Sequence, residues 1–112
     1  MTAKEGTLAT CAVVWHELRF GCDRLPRSQR KTAIAAYLEE AVRSAVPILP
    51  YDEEAAAWHA RERARLARSG RNPAAADAQI AAIAVVNELI LVTANGRDFR
   101  RFAGLRIEDW TR

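Results

Sequence analysis

An α/β fold with a mainly parallel sheet is what this sequence predicts, and three observations predict it. Short apolar runs rich in β-branched residues, "TLATCAVV", "VPILPY" and "LILVT", alternate with longer stretches of helical periodicity. Cap and turn residues fall at the joins between them. The 112 residues, half of them apolar, contain no repeat, low-complexity tract or linker, so residues 1–112 read as one domain.

In chain order, Thr7 to Val14 is expected to be a buried strand that runs into a helix through "WHELRFGCDRL". Between Ser28 and Ala45, Ile34, Tyr37, Leu38, Ala41, Val42 and Ala45 recur at helical spacing, which predicts an amphipathic helix. "VPILPY" follows as a short strand flanked by prolines. Asp52 is a good N-cap with Glu53 and Glu54 behind it, and this helix should run to Arg68 and stop at Gly70. Asn72 and Pro73 are the next start signal, cap and first helical residue. The helix Pro73 to Glu88 is apolar nearly all round and should be buried. "LILVT" and the terminal "LRIEDW" complete the strands.

The formal charge is +3, and the basic residues are clustered. Arg24, Arg27, Arg30 and Lys31 form one group; Arg61, Arg63, Arg65, Arg68 and Arg71 a second; Arg97, Arg100 and Arg101 a third. Such groups either neutralise phosphates or form solvated helix faces. No apolar run can span a bilayer, and the N-terminus lacks the layout of a secretory signal, so a cytoplasmic protein is expected. Cys11 and Cys22 are expected as free core thiols. A zinc site from Cys11, His16, Cys22 and His59 lacks paired ligand spacing, and both histidines are expected to be non-ligands.

Two carboxylates stand out. Asp77 shares a helical face with Ile80, Ala81 and Ala84, and so should point inward. Asp98 lies just beyond "LILVT". A helix in a parallel α/β unit runs antiparallel to the strand that follows, so both acids should reach the C-terminal edge of the sheet, where such folds bind ligands. Glu17, with Val13, Val14, Phe20 and Gly21 as helical neighbours, is expected there too. Taken singly, Glu17 could be a surface ion-pair acid, Asp77 a helix-terminus acceptor and Asp98 a turn residue. Together they form a set of hard oxygen ligands suited to Mg²⁺ or Mn²⁺.

Three motifs carry a family likeness: "ATCAVVWHELRFG" (Ala9 to Gly21), "DAQIAAIA" (Asp77 to Ala84) and "LVTANGRDF" (Leu91 to Phe99). In this order and spacing they resemble the PIN-domain ribonucleases of the VapC-like toxin family. The resemblance implies a three-layer α/β/α fold and Mg²⁺- or Mn²⁺-dependent cleavage of RNA. It also implies a role as toxin of a toxin–antitoxin pair, a cognate antitoxin as partner, and homo-oligomers. It makes Glu17, Asp77 and Asp98 the acidic site residues, with Thr93 and Asn95 ordering the site or positioning water. One departure stands out. The family opens with a central strand ending in Asp-Thr-Asn, whose aspartate is the first metal ligand, whereas this chain opens "MTAKEGTLATC". The resemblance therefore implies a PIN-like domain lacking the first strand and helix, about 30 residues by the size of a βαβ unit. A catalytically inactive remnant that binds a partner or RNA is the alternative. A phosphohydrolase of small molecules would account for the acids but not the basic clusters.

Overall fold

A computed structural model describes residues 9–109. Its elements are β1 (Thr10–Cys11), α1 (Ala12–Asp23), α2 (Gln29–Tyr37), β2 (Ile48–Leu49), α3 (Glu53–Arg68), α4 (Ala75–Val86), β3 (Ile90–Thr93), α5 (Gly96–Phe99) and β4 (Arg106–Asp109). Strand pairing is parallel throughout: β1 with β2, and β3 with β4. The α/β class is therefore as expected. The described strands, however, form two separate two-stranded sheets rather than one.

The ends of the elements follow local chemistry. The Asp52 carboxylate accepts a hydrogen bond from the Ala55 N–H at 2.9 Å, capping α3. Ser28 does the same for α2 through the Lys31 N–H at 3.1 Å. The predicted helix to Ala45 proves to be α2 followed by a π-helical segment, Leu38–Arg43. Helix α3 closes at Gly70 in the left-handed conformation, with the Gly70 N–H bonded to the Ala67 carbonyl and the Arg71 N–H to the Leu66 carbonyl. The same closure ends α4, but there Glu88, not glycine, takes the left-handed position at φ 55°. The Glu88 N–H reaches the Val85 carbonyl and the Leu89 N–H the Ala84 carbonyl.

Two expected boundaries are corrected. The strand predicted over Thr7–Val14 is a strand only at Thr10–Cys11; Val13 and Val14 already lie in α1, and Thr7 and Leu8 fall outside the described residues. Helix α4 starts at Ala75 and ends at Val86, so Asn72 and Pro73 precede it rather than cap it. The last strand ends at Asp109, and Trp110 lies outside the described residues.

Helix α4 joins the two halves. Its Ala78 and Ala81 pack with Leu66, Leu91, Phe99 and Phe102 in one core cluster. Its Ala82 and Ile83 pack with Cys11 and Ala55 in another. Trp58 and Ile80 lie against both clusters. The small alanine side chains let neighbouring elements of both clusters approach the helix closely. Leu66 and Ile83 are fully buried, each contributing about 1.5–3 kcal/mol of apolar transfer. Cys11 and Cys22 are buried free thiols, as expected. Among the described residues, no helix is long and apolar enough to cross a membrane.

Candidate active site

The C-terminal end of β3 leads into a tight turn and the short helix α5. The Thr93 hydroxyl accepts the Asn95 N–H at 3.0 Å, which fixes the first bend. The Gly96 N–H, at the start of α5, donates to Asp109 Oδ2 at 3.1 Å. Asp109 is the register partner of Thr93 at the end of β4, so α5 is capped from the neighbouring strand. A Cβ at position 96 would meet the Asp109 carboxylate, which would have to turn aside. The turn thereby presents Asn95, Arg97, Asp98, Arg100 and Asp109 around a polar cavity of about 410 Å³.

Asp77, in the first turn of α4, stands close enough to Asp98 for the two charges to interact. Burial, and then the charge of Asp98, push the Asp77 carboxyl above its usual value, while nearby Arg101 pulls it down. Two like charges held together in a partly dry place favour a proton or a cation between them. The donors are hard oxygens, the kind a divalent cation such as Mg²⁺ or Mn²⁺ takes. The pair therefore fits such an ion.

Glu17 is an exposed residue of α1. Its side chain is 62% exposed on α1, 3.7 Å from His16 Nδ1. Phe20, one of the apolar neighbours that suggested an inward face, is itself 53% exposed, so that pattern does not mark the buried side of α1. Among the described residues, no group of three or more His, Cys, Asp or Glu side chains is arranged to hold a metal ion. Asp77 and Asp98 are thus brought together, and Thr93 and Asn95 order the turn beside them. Asp109 was missed by sequence reasoning. Its signal was an acid at the end of "LRIED", alongside the strand that carries Thr93.

His59 is held by Tyr51, whose hydroxyl lies 2.8 Å from His59 Nδ1. Burial and neighbouring Arg63 depress its pKa below the usual imidazole value. It lines a more apolar cavity of about 350 Å³ against Ala74, Ala75 and Ala78, a space with no carboxylate in its wall. The one buried charged side chain among the described residues is Glu62, at 6% exposure. It accepts hydrogen bonds from Arg65 Nε at 2.6 Å, from Arg65 Nη2 at 2.9 Å and from the Ala103 N–H. Arg65 in turn donates to the Arg101 carbonyl at 2.9 Å. This clamp ties α3 to the segment that follows α5.

Asp77 of α4 and Asp98 of α5 thus interact near the C-terminal end of β3, with Arg97, Arg100 and Arg101 close by. Residues 1–105 match the family described as the PIN domain, and the chain belongs to that family. It is 36% identical over 107 residues to the tRNA(fMet)-specific endonuclease VapC of Shigella flexneri, spanning 96% of this chain and 78% of that protein. Among solved structures, FitAcB from Neisseria gonorrhoeae superposes with a TM-score of 0.84 at 30% identity, covering 93% of this chain and 76% of the other. The DNA-bound VapBC of Salmonella typhimurium gives 0.78 at 35% identity, covering 89% and 73%.

Proposed function

We propose that this protein is a metal-dependent endoribonuclease and the toxin of a toxin–antitoxin pair, acting in the cytoplasm. The observation that carries this reading is the Asp77–Asp98 pair in a PIN-domain chain, the Asp77 carboxyl raised by burial and then by the charge of Asp98. Asp77 and Asp98 would hold Mg²⁺ or Mn²⁺. Glu17, exposed and restrained in its side chain only by the contact to His16, is the third candidate ligand. When bound, the ion supplies Lewis-acid polarisation of a phosphodiester and a more acidic water. The chain's own part is positional. Thr93 and Asn95 fix the turn, Asp109 fixes the start of α5, and these bonds hold Asp98 against Asp77. Arg97, Arg100 and Arg101 would meet the substrate's phosphates.

The antitoxin reading is supported by a solved structure, 31% identical with a TM-score of 0.71, whose title places VapBC-5 of Mycobacterium tuberculosis in the VapBC family of toxin–antitoxin systems. Among the described residues, the exposed large apolar side chains, Leu18, Phe20 and Tyr37, belong to α1 and α2. A partner helix laid on that face would cover them. Leu38 is buried and Trp58 packs against the core, so neither is available to such a partner. The division of the described strands into two parallel pairs supports the reading that the family's central strand is absent from these residues.

The test is cleavage of single-stranded RNA with Mg²⁺, Mn²⁺ and a chelator, by this chain and by a version extended to carry an Asp-Thr-Asn strand. The expected result is weak cleavage by the chain alone, strong cleavage by the extended form, and loss of both with Asp77→Asn. Cleavage that survives Asp77→Asn refutes the site. An extended form with no activity favours the partner-binding remnant.

A further inference from the structure

Sequence order puts Arg71 with the arginines of α3, but the fold moves it. The closing turn at Gly70 bonds the Arg71 N–H back to the Leu66 carbonyl at 2.9 Å and carries the side chain away from that group. Arg71 then lines, with Arg97, Arg100 and Arg101, a single open concavity of about 460 Å³ whose walls are those four residues. Arg19, Arg43 and Arg65 each have a carboxylate partner, whereas none of these four forms an ion pair with a described residue. Four guanidiniums facing one space repel each other unless an anion lies between them.

The backbone at Arg101 is tied down before any ligand arrives. Arg65 holds the Arg101 carbonyl, and Glu62 holds both Arg65 and the Ala103 N–H. Arg101 also reaches the acid pair, since its charge acts on Asp77. We propose that Arg71, Arg97, Arg100 and Arg101 form a preorganised phosphate cleft that carries the backbone of single-stranded RNA past Asp77 and Asp98. This rests on the ribonuclease reading and adds the course of the strand beside the site.

An acidic peptide is the other polyanion to consider. Peptide grooves gain affinity from apolar or aromatic anchors. This concavity has none in its wall, whereas planar guanidiniums match phosphate oxygens in pairs. The chemistry favours the sugar–phosphate backbone.

The experiment measures binding of a labelled oligouridylate in chelator, so that no cleavage occurs, across a salt series. Arg71→Gln/Arg97→Gln/Arg100→Gln is compared with Arg24→Gln/Arg27→Gln/Arg30→Gln. Both triples remove three charges from exposed positions, and thermal melts confirm that each remains folded. Each phosphate contact on a single strand contributes about 0.7 to the slope of log affinity against log salt. The cleft triple should therefore lose about 2 from that slope, and the control triple should keep the wild-type value. Between about 50 and 200 mM salt, the wild type should weaken about twenty-fold more than the cleft triple. Equal losses in the two triples would overturn the proposal, as would polyglutamate displacing the RNA from the wild type but not from the cleft triple. If the cleft triple binds normally while the wild type cleaves RNA with metal, the cleft falls and the ribonuclease reading stands. The expected slopes without any cleavage would leave the cleft and remove the ribonuclease.

Discussion

Glu62→Gln should destabilise the protein by about 2–3 kcal/mol, although no catalytic group is touched. Glu62 is 6% exposed and accepts three hydrogen bonds, two from Arg65 and one from the Ala103 N–H. Glutamine keeps the shape, removes the charge and puts an NH₂ where one acceptor oxygen stood, opposite a donor. A hydrogen bond to a charged group contributes about 1.5–3 kcal/mol, so losing one and weakening the rest gives that figure. Arg65 is half exposed and rehydrates once released, which keeps the loss from being larger. At this chain length the melting temperature should fall by about 8–12 °C. The pH dependence gives a second signature. The guanidinium of Arg65, and then the Ala103 N–H, hold the Glu62 carboxyl below its usual 4.5 against the opposing effect of burial. A depressed acid contributes stability that is present above the unfolded value and lost as pH falls through the folded one. Wild type should therefore lose stability from about pH 4.5 downward, and the variant should lose less over the same range. Urea unfolding at several pH values measures both. A loss under about 0.5 kcal/mol, or an unchanged acid limb, would refute the clamp as an energetic unit.

Asp77→Asn should slightly stabilise the metal-free protein at pH 7, because burial and the charge of Asp98 disfavour the ionised carboxyl. That gain should vanish as pH falls toward 3.8, and Mg²⁺ or Mn²⁺ should raise the melting temperature of the wild type but not of the variant. Glu88→Gly should add about 0.5–1 kcal/mol in urea unfolding, since it relieves a side chain held at φ 55° in the closing turn of α4. Gly96→Ala should cost about 1–3 kcal/mol and displace Asp109, measured by unfolding and by the amide chemical shift of residue 96. Exchanging Phe20 and Tyr37 for serine should leave melting nearly unchanged while weakening capture of the neighbouring gene's product, measured by co-purification.

What could be read from the residues was what local chemistry decides. The Asp52 cap, the stop at Gly70 and the all-round burial of α4 each follow from a few neighbouring side chains. Asp77 and Asp98 were legible because helix and strand directions in a parallel unit bring them to one edge. The inward orientation expected of Glu17 was not legible, because apolar neighbours on α1 mark an exposed face as well as a buried one. Asp109 and Arg71 depend on where distant segments meet, Asp109 through the register of β4 on β3 and Arg71 through a turn that swings it toward α5. No spacing rule along the chain encodes either meeting.

Because α4 is walled by both cores, a change of volume in either one pushes it toward the other. A methyl group added at Ala81 or Ala82 would be accommodated by a tilt of the whole helix, and Asp77 rides on its first turn. Sequence variation deep in either core is thereby converted into displacement of the acid relative to Asp98. Homologues with enlarged core residues should drift in the spacing of this pair unless a second change restores it. The alanines of α4 thus set a tolerance on the active site from beneath, and covariation should link them to both cores rather than to one.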